Sequence, residues 1–295
     1  MTRTAISPRL ATSTLENTPY RGPVGDDRAK AARAALSGRR FADVRWVAET
    51  GSTNSDLVAA ARSGAPEQVL VADAQTAGRG RLGRAWEAPP RASLLASVLV
   101  RPGLVDHRIA ADRIHLVTIA LGLAASEAVQ ATSGVEARLK WPNDLVVGVP
   151  GGERKLAGVL AETLVEQGRI VAVIAGIGLN VSWPEDVPEH LRDIATSIDR
   201  HAASVPQVVE LLVELLRRFE DLLSLATHDP GALLSRYTAR SATIGRMVRV
   251  ERPGAVGGDV AGMAVGVDDV GALLVDDGGV IHTVHVGDVI HARHT

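Results

Sequence analysis

The stretch Gly78–Arg84, read GRGRLGR, constrains the fold most, because its flanks rule out two nucleotide-binding architectures that its glycines invite. Gln68–Gln75 reads as a strand feeding this loop. Gly78, Gly80 and Gly83 satisfy G-x-G-x-x-G, but that fingerprint must open a helix. Here Trp86-Glu87-Ala88-Pro89-Pro90 follows, and paired prolines break a helix. Gly78 and Gly83 also fit the spacing of a phosphate loop, which continues with Lys and Ser or Thr. Arg84 and Ala85 stand there instead. What remains is a turn in which glycine frees the backbone and arginine supplies a fixed fork of donors for carboxylate or phosphate. A solvated, RNA-touching or merely flexible loop has the same local composition.

The flanking chain predicts an α+β domain followed by a small all-β one. Residues 1–25 lack periodicity and read as a disordered tail. Asp26–Leu36 reads as a helix, Asp43–Glu49 as a strand, and Ser52, Thr53 or Asn54 as the cap of a helix running to Ser63. Ser93–Val100 reads as a strand and Ile109–Thr132 as a long apolar helix. Ala137–Trp141, Leu145–Val149, Leu156–Leu164 and Arg169–Val181 are β-rich runs between turn signals. Pro206–Leu225 spaces its apolar residues by three and four, and Asp229-Pro230 opens a shorter helix to Arg240. After Ser241, five short strands separated by Gly and Asp suggest a small barrel. The expected division is therefore 26–240 and 241–295.

Composition excludes several functions. The formal net charge of −2 gives no global field for nucleic acid, so the arginine loop is a local device. The absence of cysteine removes disulfides, thiolate metal sites and cysteine nucleophiles, and suits a reducing compartment. No secretory h-region precedes the first helix, and the apolar runs Leu116–Ala125 and Val171–Ile177 are short for a bilayer span. A cytoplasmic protein is expected. One helix before the first strand does not make a helix-turn-helix.

Three further stretches concentrate polar groups at strand ends. Lys140-Trp141-Pro142-Asn143-Asp144 packs a cation, a ring, a rigid turn, an amide and a carboxylate. Lys155 opens the apolar run Lys155–Leu160, as a strand-edge cation or as a charge aimed into a site. Gly176–Val181, GIGLNV, ends a strand with the lone amide of Asn180, a capped end or a ligand contact.

ETGSTN (Glu49–Asn54), QTAGRGRLGRAW (Gln75–Trp86), KWPND (Lys140–Asp144), KLAGVLAE (Lys155–Glu162) and GIGLNV occur in the order in which similar stretches occur in biotin–protein ligases. The C-terminal pattern Gly266-Val267-Asp268, Gly271–Val275, Gly287-Asp288 also resembles that family's terminal domain. The resemblance covers roughly Val44 to Arg293. It implies a mixed sheet flanked by helices, related to lipoate–protein ligases, plus a small SH3-like β-barrel. It implies the non-regulatory type, without an N-terminal DNA-binding domain. The segment from Gly148 to Arg154 forms a longer glycine-rich hairpin than the family pattern and has no assigned task.

The implied chemistry is activation of biotin by ATP, with Mg²⁺, to biotinyl-5′-AMP. Transfer to a lysine of a biotin carboxyl carrier domain of acetyl-CoA or a related carboxylase follows. By this pattern Ser52, Thr53, Asn54 and Gln75 bind biotin. Arg79, Gly80 and Arg81 close over its carboxylate and then the adenylate phosphate, and Lys155 is the main electrostatic catalyst, beside Arg81. Gly78, Trp86, Lys140, Asn143 and Asn180 face the nucleotide, with Trp86 stacked on adenine. Asp144 is a weaker candidate to take the acceptor's proton, and Arg293 a candidate contact from the small domain. No metal ligand set is expected. The competing readings are a lipoate or octanoate ligase on the same fold, an RNA-binding module, and a biotin-responsive binding protein.

Overall fold

The structure is a computed structural model that describes residues 25–102, 113–185, 187–252 and 258–291. The expected tail, the expected helical start at Ile109–Asp112 and the Arg293 contact lie outside them. Helix α1 (Gly25–Ala35) leads into β1 (Val44–Val47). Helix α2 (Thr53–Arg62) starts where Ser52 accepts the Ser55 amide and crosses to β2 (Gln68–Ala72), parallel to β1. The chain then runs through β3 (Ser93–Val100), α3 (Leu116–Ser133), β4 (Arg138–Lys140), β5 (Asp144–Val149), β6 (Gly152–Glu166) and β7 (Arg169–Asn180).

These strands form one mixed sheet in the order β1-β2-β3-β7-β6-β5-β4. The β6–β7 hairpin closes on Gln167 and Gly168, both at positive φ, the backbone a tight two-residue turn requires. Alternation along the strands divides the core. Val69 and Val71 face a large cluster with α1, α3 and helix α5 (Val208–His228), while Leu70 faces Leu57 and Ala61 of α2. Covered on both faces, β2 and β3 are buried throughout and read as continuous apolar runs.

Helix α3 meets the length and hydropathy of a membrane span, although its longest uninterrupted apolar run did not suggest one. Its apolarity has a packing cause: 72% of it is buried, packed between the sheet and α5. A short helix α4 (Glu189–Arg192), absent from the expectations, precedes α5. Helix α6 (Pro230–Ala239) begins as expected, with Asp229 accepting the Ala232 amide and Pro230 in the first turn.

After α6 come β8 (Met247–Glu251), β9 (Val260–Val267), β10 (Leu273–Asp277), β11 (Val280–Val284) and β12 (Asp288–His291). They pair antiparallel in the order β11-β10-β9-β8-β12; among the described residues no ladder joins β11 to β12. The expected barrel is thus present as a five-stranded sheet. Its buried residues Val248, Val250, Leu273, Val275 and Val289 join the main apolar cluster. The Trp141 indole N–H donates to the Gly271 carbonyl at 3.1 Å, pinning the small sheet beside the KWPND turn.

Candidate active site

The glycine–arginine loop is a miniature hairpin. The Trp86 amide donates to Gly78 O at 2.9 Å, the Gly80 amide to Arg84 O at 2.7 Å, and Arg79 bridges Ala85. A single 3₁₀ turn, Arg81–Gly83, caps it, with Leu82 at φ 55° and Gly83 at φ 73°. No helix follows, consistent with the prolines. Gly78 is required by contact: a Cβ there would lie 2.5 Å from Trp86 O.

Beneath the loop lie two cavities of about 280 and 270 Å³. They share a wall of Arg81, Trp141, Pro142, Asn143, Val159 and Leu160. The first is lined by eleven of the thirteen residues assigned to biotin, nucleotide or catalysis, namely Ser52, Thr53, Asn54, Gln75, Arg79, Gly80, Arg81, Trp86, Lys140, Asn143 and Lys155, and by Asp144 as well. Gly78 and Asn180 are the exceptions. Gly78 shapes the loop from behind. Asn180 is 1% exposed, its amide donating to Thr196 O at 2.9 Å and its oxygen accepting from Ser93 at 3.2 Å. The lone amide of GIGLNV is therefore a strand-end tie, and the expectation that it faces the nucleotide is not met in this conformation.

The cavity floor is neutral and already hydrogen-bonded. Thr53 donates its backbone amide to Gln75 Oε1 at 2.8 Å. The Thr53 hydroxyl lies 3.0 Å from the same oxygen and 2.7 Å from Ser97 Oγ. Ser97 donates to Asn54 Oδ1 at 2.6 Å, and Asn54 Nδ2 donates to Glu162 Oε2 at 2.9 Å. The Thr53 hydroxyl has one proton and two acceptors, so one partner can be exchanged for a ligand atom without leaving an orphan.

The two glycines of GIGLNV serve this floor. A Cβ on Gly176 would fall 2.1 Å from Asn54 Oδ1, and one on Gly178 would fall 2.3 Å from the Trp86 ring. Gly158, directly opposite Gly178 in the β6–β7 ladder, meets the same ring. Trp86 thus lies across a bed of two cross-strand glycines, in the first cavity and not in the second.

The walls carry charge. Arg79, Arg81, Arg84, Lys140 and Lys155 line the first cavity against two carboxylates, Asp144 and Asp288. Lys155 Nζ lies 2.7 Å from Asp144 and 5.5 Å from the Trp86 ring centroid. Arg79 pairs with Glu162 at 2.6 Å. Arg84 pairs with Asp288 of the small sheet. Arg81 donates to Asn143 Oδ1 at 3.2 Å and reaches the Gly287 carbonyl at 3.5 Å. Burial lowers the Arg81 pKa, Asp288 and Asp144 raise it, and Arg84 lowers it further; a guanidinium stays charged through such changes. An excess of partly buried cations over carboxylates holds an anion.

Sequence reasoning missed Ser97, Glu162, Asp288 and the supporting glycines. Ser97 had a signal, a polar residue within the apolar strand SLLASVLV. Glu162 stood at the end of a quoted stretch with no role given. Asp288 likewise stood in a quoted C-terminal pattern with no role given, because only folding brings it to a loop so distant in the chain. Among the described residues no cluster of three or more His, Asp or Glu offers a metal site.

Comparison with known proteins follows the same division. Residues 51–180 match the biotin/lipoate A/B protein ligase family, and residues 243–292 match the biotin protein ligase C-terminal domain. A biotin–[acetyl-CoA-carboxylase] ligase of Mycobacterium tuberculosis is 43% identical over 88% of this chain and 92% of its own length. A bifunctional ligase/repressor BirA of Bacillus subtilis is 31% identical over 81% of this chain and 70% of its own. Among solved structures, a biotin protein ligase from Aquifex aeolicus in complex with biotin and ATP superposes with a TM-score of 0.70. It is 26% identical and covers 86% of this chain and all of that one.

Proposed function

From the premise that the chain belongs to the biotin protein ligase family, we propose that it activates biotin with ATP to biotinyl-5′-AMP and transfers biotin to a carrier lysine. The observation that carries this reading is the juxtaposition in one cavity of a neutral donor–acceptor floor and a cationic wall. Biotin has the matching ends. Its ureido ring, two N–H donors and a carbonyl, suits Ser52, Thr53, Asn54 and Gln75, with Ser97 behind them. Its carboxylate suits Arg79, Gly80, Arg81 and Lys155.

The first half-reaction must bring two anions together. Unit charges about 4 Å apart repel by roughly 4 kcal/mol at an effective dielectric near 20. In this reading Lys155 and Arg81 cancel that repulsion and stabilise the α-phosphoryl oxygens while the carboxylate attacks and pyrophosphate leaves. Lys155 begins paired to Asp144 and Arg81 to Asn143, so each exchanges a protein oxygen for a substrate oxygen. Asn143 and Lys140 border the nucleotide side; Mg²⁺ enters as a substrate with ATP. Trp86, lying on Gly158 and Gly178 beside Lys155, is reassigned from the adenine to the wall of the biotin subsite. In the second half-reaction the acceptor amine attacks the acyl carbon and AMP departs. The acceptor is a carboxylase carrier domain, as the names of the relatives indicate for those proteins, and the reaction is assigned to the cytoplasm. Residues 26–240 bind biotin and ATP, and 241–295 complete the rim.

Lipoate or octanoate activation is the second reading, on the strength of the shared family. Incubation with ATP, Mg²⁺ and either biotin or lipoate decides between them. Biotin-dependent pyrophosphate release and labelling of a carrier domain are expected; release with lipoate alone refutes the assignment.

A further inference from the structure

The hairpin between β5 and β6, unassigned in sequence, has a role in the fold through Glu153. Its Oε1 receives Arg246 at 2.6 Å and its Oε2 lies 3.0 Å from His291 Nδ1. The Glu153 and His291 side chains are only 14% and 10% exposed. The other ring nitrogen of His291 lies 3.2 Å from the Thr243 hydroxyl, which is fully buried and accepts the Trp141 amide at 3.0 Å. One chain of contacts thus joins the β5–β6 hairpin, the first residue of the Trp141–Asn143 turn, and the last strand of the small sheet.

Both anchors of Arg81 hang from the ends of this chain. Asn143, which accepts from Arg81, stands two residues after Trp141. Gly287 and Asp288 stand at the start of the strand that ends in His291, and they meet Arg81 through a carbonyl at 3.5 Å and a carboxylate at 4.0 Å. A shift between the turn and β12 would pull the two anchors apart.

We propose that Glu153 and His291 are positioning residues: their clasp through Thr243 holds the Trp141–Asn143 turn against β12, so that Arg81 is held in place between them. The small sheet is also attached by other contacts, Trp141 to Gly271 and Arg84 to Asp288, so the clasp sets register more than attachment. A carboxylate that is little exposed and bonded to two partners suits this task, because geometry is lost when either partner goes. This assignment rests on the adenylation reading above.

The test is single-turnover adenylation by His291→Leu, which removes the contacts to Glu153, Thr243 and Arg246, and by two milder variants. His291→Asn keeps a donor near Nδ1 and loses reach to Thr243; His291→Gln does the reverse. His291→Leu is expected to slow adenylation by about ten- to a hundredfold, the scale of a misplaced catalytic group. Each milder variant falls between it and the unmodified protein. The distinguishing readout is background dependence. In an Arg81→Ala protein, His291→Leu adds little further loss, since both act through one guanidinium. An equal loss in both backgrounds overturns the proposal, as does an unmodified rate in His291→Leu. If His291→Leu does not fold, the same cycle with Glu153→Gln and His291→Asn decides it. Absence of biotin-dependent pyrophosphate from the unmodified protein refutes the adenylation reading itself, and the clasp with it.

Discussion

The floor of the cavity and the arginine loop above it are built on opposite principles. The floor comes from regular elements, the N-terminus of α2 and strands β3, β6 and β7, and its polar atoms bond one another. Ser52, Thr53, Asn54 and Ser97 are all buried. The loop is a short turn whose arginines take partners from elsewhere: Glu162 on β6, Asn143 in the KWPND turn, Asp288 on the small sheet. Its tip, Leu82, is 59% exposed. A preorganised floor suits a neutral ring that must be recognised the same way each time. A loop held by exchangeable ion pairs suits an anion that arrives, reacts and leaves, since each partner can be traded for substrate oxygen.

The sharpest way to break this contrast is to cut one side at a time. Arg81→Ala is expected to lower the adenylation rate by about 10²- to 10³-fold, the cost of removing one electrostatic donor. Biotin affinity without ATP should weaken far less. Thr53→Val should do the reverse, raising the biotin Kd with the rate at saturation near that of the unmodified protein. Kinetics beside calorimetric titration decides the matter; losses of the same kind from both variants would erase the division. Lys155→Ala should resemble Arg81→Ala while unfolding at an unchanged temperature.

One substitution placed in each region probes rigidity. Gly176→Ala forces a methyl group to within 2.1 Å of Asn54 Oδ1, in a floor packed on both sides. It should cost about 1–3 kcal/mol of stability, as overpacked sites do, and weaken biotin binding. Gly83→Ala meets nothing within 4 Å and strains only the backbone at φ 73°. It should cost about 1 kcal/mol, with biotin affinity unaffected. Urea titration of both variants tests the order, and the reverse order would mean that the loop is the stiffer region.

Asp288→Asn tests the loop's borrowed partners. Hydrogen exchange at Gly78–Arg84 should rise, and biotin plus ATP should suppress it again. Equal protection with and without ligands would show a loop already fixed.

The smallest effect concerns pH. Burial alone would raise the Glu153 pKa, but the His291 hydrogen bond and the charges of His291, Arg246 and Lys140 bring it below the usual carboxylate value. A carboxylate with a depressed folded pKa contributes stability that is present above its unfolded pKa, about 4.3. That contribution is lost as pH falls through the lower folded value. Melting temperatures of the unmodified protein and Glu153→Gln should therefore differ most at neutral pH and converge in acid below about pH 4. A constant gap would remove Glu153 from the acid response.

Much of this was legible before folding was considered. A continuous apolar run bounded by turn residues located β3 at Ser93–Val100 to the residue, because apolar runs and chain-reversing residues are local properties. Among the described residues helix α3 begins at Leu116, so Arg113–His115, expected within it, precede it; helix ends depend on capping more than on hydropathy. Eleven site residues converge because ETGSTN opens α2, the glycine–arginine loop follows β2 and KWPND joins β4 to β5, while Lys155 comes from within β6.

Other features required the tertiary structure. The glycines of GIGLNV look like backbone freedom in sequence; in the fold they are absences of a Cβ where Asn54 and Trp86 press against the sheet. Asn180 looked like the polar group of that motif and proved to be its structural tie. The roles of Asp288 and His291 were not legible locally, since their partners stand far from them in sequence. The sequence by itself determined the elements, their order and the anion-seeking chemistry of Gly78–Arg84, because these follow from near neighbours. Only the tertiary structure decided which distant groups hold the three arginines, because charge pairing depends on distance in space, and the chain must fold to set it.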